Sequence, residues 1–90
     1  MNLRVIKKDV DYMIDEVVSD AIMSLNFTED QKKQEEFVRI ANDAVILRDQ
    51  TYGLLNHPDK SKIKAYYREK VENFIKSVDE LFDRISKNVK

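Results

Sequence analysis

The residues best suited to chemistry cluster in Asn56-His57-Pro58-Asp59-Lys60, where an imidazole, a carboxylate and an ammonium group fall within four positions. His57 is the only histidine and the chain has no cysteine. Any Ser-His-Asp arrangement would therefore have to use His57, and a Cys-His pair, a disulfide framework and a thiolate zinc site are excluded. The single glycine, Gly53, rules out a glycine-rich phosphate loop. The Glu-x-x-His pairs of di-iron bundles are also absent. Carboxylates do pair at helical spacing, as Asp11–Asp15 and Glu16–Asp20. Hard cations need several converging oxygens, so these pairs are expected to form a solvated face with no metal. Acid–base work needs a low-dielectric pocket that shifts one carboxyl, and no stretch suggests one. The expectation is a protein that is not an enzyme, with no cofactor and no small-molecule ligand.

A second candidate is the basic run after the corner. Lys60, Lys64 and Arg68 stand at i, i+4 spacing, with Lys62, Lys70, Tyr66 and Tyr67 beside them. On a helix this makes a cationic face with aromatic neighbours, suited to weak phosphate or nucleic-acid binding. It equally describes a helix whose lysines lay their stems over core tyrosines. The formal net charge of −1 supplies no overall attraction to a polyanion.

The tripeptide His57-Pro58-Asp59 resembles the loop of the J-domain co-chaperones, where it joins two antiparallel helices. Downstream, Lys70-Val71-x-x-Phe74-x-x-Ser77-Val78-x-x-Leu81 looks like that family's Lys-Phe-x-x-Ile-x-x-Ala-Tyr-x-x-Leu pattern, so the resemblance spans residues 52–81. It implies stimulation of a heat-shock chaperone ATPase through the corner His57, Pro58, Asp59 and Lys60, and a strongly basic face on the preceding helix. This chain departs from the pattern there. Arg39 and Arg48 are balanced by Asp43 and Asp49, the residues before the loop are Leu54-Leu55-Asn56, and 28 residues separate Thr28 from His57. In the alternative, each corner residue is structural, with Pro58 ending one helix, Asp59 capping the next, and His57 exposed in the loop.

The elements that must position these groups are long helices. Hydrophobic content of 42% and charge of 37%, with one Gly and one Pro, fit neither a disordered chain nor one built of many short strands. Val10, Met13, Ile14, Val17, Val18, Ala21, Ile22 and Leu25 recur at i, i+3, i+4 spacing and predict a helix over residues 3–25. The stripe is broader than a coiled-coil seam, so this helix should meet more than one neighbour. Asn26 is expected to end it in a left-handed turn. Thr28-Glu29-Asp30-Gln31 reads as a capping box opening a second helix over 29–55. Its first two turns, Gln31 to Glu36, are polar all round and are expected to project or fray. Gly53 near its end would ease a bend or a close approach. The third helix is predicted over 60–87, capped by Asp59 or Ser61, with the broadest apolar face: Ile63, Tyr66, Tyr67, Val71, Phe74, Ile75, Val78, Leu81, Phe82 and Ile85. Glu29–Lys33, Glu35–Arg39, Glu72–Lys76, Glu80–Arg84 and Asp83–Lys87 are favourable i, i+4 pairs.

The fold expected is one all-α domain over residues 1–90, three long helices in an up-down-up antiparallel bundle. A chain of 90 residues buries only about 60–65% of its unfolded surface, so homodimerisation is one way to complete the core. Residues 1–27 carry three bases and five acids, 28–56 four and six, and 57–90 nine and six. With helices 1 and 3 parallel, the acidic first helix is expected beside the basic start of the third. There is neither a signal-peptide pattern nor an apolar run of membrane-spanning length. A cytoplasmic protein acting through protein contacts or self-association is the expected function. The N-terminal stretch from Asn2 to Tyr12 is similar to small uncharacterised all-helical bacterial proteins, a resemblance that implies no activity.

Overall fold

In a computed structural model the chain forms three helices, α1 (Leu3–Phe27), α2 (Gln31–Asn56) and α3 (Ile63–Val89), with one 3-10 turn, Lys60–Lys62, leading into α3. The structure describes residues 2–89. All three helices pack on one another in the expected up-down-up order, and the bundle is a rod of 51 × 18 × 15 Å.

The core is where the three apolar stripes meet. Val10, Ile14, Val17 and Ala21 of α1 pack with Phe37, Ile40, Ala44 and Leu55 of α2 and with Tyr67, Phe74, Val78, Leu81 and Ile85 of α3. Each set is spaced by three, four, seven or eleven residues, all whole turns to within a fraction, which is why one face per helix closes the core. Thr51 is the one buried polar residue among those described. Ile22, although on the predicted stripe, is exposed at the outer edge of α1.

The helix ends show what the local chemistry preferred. Asn2 caps α1, its side chain accepting from the Arg4 amide at 2.9 Å. α1 then runs through Asn26 to Phe27 and leaves through an extended Thr28, with no described non-glycine residue at positive φ. The left-handed stop expected at Asn26 does not form. The capping box is also displaced: α2 begins at Gln31 and Asp30 is its cap, accepting from the Lys32 and Lys33 amides at 2.9 and 3.3 Å. A carboxylate at the positive end of a helix is a better acceptor than a hydroxyl. Thr28 instead accepts from the Asp30 amide through its hydroxyl, while its carbonyl takes a bond from Gln34 Nε2 at 2.8 Å. Glu29 therefore lies before α2 rather than in its first turn.

The polar first turns of α2 do not project, because α3 gives them a partner. Arg84 donates through Nε and Nη2 to Glu36 Oε1 at 3.1 and 2.7 Å, and through Nη1 to Asp43 Oδ2 at 2.8 Å. Glu36 keeps its other oxygen for Arg39 Nη1 at 2.8 Å. Two expected pairs are thereby redirected: Arg84 turns to α2 rather than to Glu80, and Arg39 to Glu36 rather than to Glu35. Asp83–Lys87 forms as expected, at 2.9 Å. Gly53 admits no close neighbour, since a Cβ placed there would find no atom within 4 Å.

No described helix is long and apolar enough to cross a membrane.

Candidate functional site

Three places on the bundle offer groups to a partner: the corner, the basic start of α3, and the surface left open between helices.

At the corner, Pro58 disfavours helical geometry at His57, which closes α2 with φ −128° and ψ 62°, its amide 3.4 Å from the Leu54 carbonyl. Asp59 caps the 3-10 turn, accepting from the Ser61 amide at 3.0 Å and from the Ser61 hydroxyl at 2.7 Å. The Ser61 hydroxyl, more than its amide, holds the Asp59 carboxyl below its usual range. Asp59 is thus occupied in turning the chain, while His57 and Lys60 are exposed. The side of α2 beside the corner is neutral: Arg48 turns to Asp49 at 3.3 Å, and Gln50 and Asn56 are exposed. Lys7 reaches across from α1 to donate to the Asn56 side chain. The basic helix face that the co-chaperone resemblance implies is not formed.

The basic start of α3 is shorter than its spacing suggested. Lys60 belongs to the 3-10 turn, which has three residues per turn and so takes it out of register with Lys64 and Arg68. Lys64 and Arg68 are exposed on α3 itself. The aromatic neighbours are committed elsewhere. Tyr67 is in the core at 7% exposure, and the Tyr66 hydroxyl donates to the Leu54 carbonyl at 2.7 Å, satisfying an end of α2. Lys70 lies over the Tyr66 ring at 5.0 Å, the snorkelling arrangement.

The end of α1 nearest the corner is pinned by Tyr52, a residue that no sequence motif singled out. Half-buried on α2, it donates to the Asp11 carboxylate and lies 3.3 Å from the Lys7 carbonyl, with Lys7 Nζ 5.6 Å from its ring centre. Burial first, then the Asp11 hydrogen bond and charge, push the phenol up to about 12. The folded protein therefore holds this proton more tightly than the unfolded chain. The resulting stability is complete below about pH 10 and is lost as pH rises toward 12. Allowing for solvent at a half-buried site, we expect a loss of about 1 kcal/mol between pH 9 and 11.5 beyond that of Tyr52→Phe. Urea unfolding at the two pH values measures it, and parallel losses in both proteins would refute the assignment.

The open surface is the furrow between α1 and α3, the least extensive of the three helix interfaces. Two crevices follow it along the rod, and a third opens beyond its far end, where α2 also contributes. The first lies between Ile6, Asp9, Val10 and Met13 of α1 and Val71, Phe74 and Ile75 of α3. The second is bounded by Tyr12, Asp15, Glu16, Ser19 and Asp20 with Phe82. The third, about 380 Å³, opens at the far end among Met23, Ser24, Phe27, Phe37, Asn88 and Val89. Tyr12, at 65% exposure, borders the second crevice and Phe27, at 85%, the third. The neighbouring Glu16, by hydrogen bonding first and then by its charge, raises the pKa of the Tyr12 phenol. Of the acids on α1, Asp15, Glu16 and Asp20 lie beside Phe82, while Asp9 borders Val71. Among the described residues, no group of three or more His, Cys, Asp or Glu is placed to hold a metal ion.

Two helices together make the furrow. Tyr12 and Met23 fall off the stripe of α1 and read as isolated residues in the sequence. No family model, no curated protein and no solved structure matches this chain at a significant level.

Proposed function

We propose that this chain is a non-enzymatic helical bundle that works by presenting the α1/α3 furrow to a protein surface. The observation that carries this reading is that two crevices between α1 and α3, and a third at the bundle end beyond them, are bordered by the exposed aromatic side chains Tyr12 and Phe27. Apolar and aromatic groups rimmed by charge, on a rigid scaffold, are the makings of a protein-contact face. Absence of cysteine fits work in a reducing cytoplasm.

The test is site-specific photocrosslinking in cells making the protein, with benzoylphenylalanine replacing Tyr12 in the furrow or Ile46 on the outer face of α2. Crosslinked species of discrete mass are expected from position 12 and not from position 46. No product from position 12, or equal products from both, would refute the furrow as the working surface.

A further inference from the structure

Charge is sorted along the rod. By itself α1 passes from three bases and two acids over residues 2–13 to three acids and no base over 14–27. Folding sets the basic start of α3 at the same end as the basic start of α1. The half containing the corner, residues 2–13 and 47–74, carries nine bases and six acids. The opposite half, residues 14–46 and 75–89, carries six bases and eleven acids. The first set of residues sits together because Tyr52 meets Asp11 and Tyr66 meets the Leu54 carbonyl. The second does so because Arg84 meets Glu36 and Asp43. The ends therefore differ by +3 against −5.

The furrow follows the same division. Lys64 and Arg68 continue the α3 row of Val71, Ile75 and Phe82 toward the corner, at helical steps that keep them on one side. Glu16 and Asp20 border the furrow in the other half. We propose that the occupant of the furrow is a second copy of this chain, laid antiparallel about a two-fold axis near Met13 and Ile75. The proposal rests on the furrow being the contact surface.

Antiparallel placement brings Arg68 of each copy level with Asp20 of the other, so both ends of the contact pair unlike charges. A parallel placement would set +3 on +3 and −5 on −5. Size agrees as well. One long side of a rod 51 Å by 15–18 Å presents roughly 800 Å², about what each partner contributes to a standard interface. An isologous contact also closes on itself, so association stops at two.

Sedimentation velocity across a concentration series should show a dimer that weakens as salt rises from 50 to 500 mM. Arg68→Glu and Asp20→Lys should each weaken it about tenfold or more, and the double variant should recover most of the loss. Orientation is read with cysteines in this cysteine-free chain. A mixture of Arg68→Cys and Asp20→Cys proteins should form the mixed disulfide, whereas Arg68→Cys alone should not pair with itself. Disulfide formation by Arg68→Cys alone would overturn the antiparallel arrangement. A monomer at all concentrations would overturn the dimer, yet leave the furrow reading standing if crosslinks to a different protein still formed at position 12.

Discussion

Ile40→Ala should cost about 3 kcal/mol, whereas Ile46→Ala, six residues along the same helix, should change stability by less than about 0.5 kcal/mol. Ile40 is 0% exposed at the junction of the three stripes, and Ile46 is 53% exposed on the outer side of α2. Truncating Ile40 removes apolar contacts and leaves a cavity that three helices cannot all close. A domain of this size has about 5–13 kcal/mol in total. The loss should lower the melting temperature by roughly 12–24 °C. Urea or thermal unfolding followed by circular dichroism measures both variants. A loss under about 1 kcal/mol at Ile40 would mean that the centre of the bundle is loosely packed.

The second large effect is expected at Arg84. Arg84→Met keeps the length and apolar stem of the side chain but leaves Glu36 and Asp43 facing an uncharged group. Glu36 and Arg84 are 22% and 32% exposed, so the pair lies between a solvated ion pair and a buried one. An expected loss of about 2 kcal/mol at pH 7 sits between the values for those two cases. The loss should depend on pH with a definite sign. The Arg84 hydrogen bond, ahead of Arg39, holds the Glu36 carboxyl below its ordinary value of 4.5. Stability from this group is therefore complete above about pH 4.5 and disappears as pH falls through the depressed folded value. Wild type and Arg84→Met should approach one another in urea unfolding as pH falls below 4.5. In a cycle with Glu36→Gln, a coupling near zero would show that the two side chains do not act together.

Much of this architecture was legible in the residues. The apolar periodicities of α1, α2 and α3 required three helices, and Pro58 fixed the end of α2 because it disfavours helical geometry at His57. Asp59 as a cap followed from its carboxylate standing two residues before a free amide. The boundary between α1 and α2 was harder to read, since Thr28 and Asp30 both offer acceptors within three positions. Their competition was decided by which oxygen binds a helix terminus more strongly.

From residue order alone it follows that the chain is helical, where it must turn at the corner, and which chemistries lack the residues to occur. A period of 3.6 defines the side of a helix on which a residue lies, and that is a local property. It does not name the neighbour on that side. Packing of the three helices was needed to send Arg84 away from Glu80 to Glu36 and Asp43. The same packing set the basic start of α3 beside the basic start of α1, reinforcing a polarity that α1 already carries along its length. Two reversals of the chain lay α1 and α3 side by side and parallel, joining residues dozens of positions apart, so the furrow exists only in the folded rod.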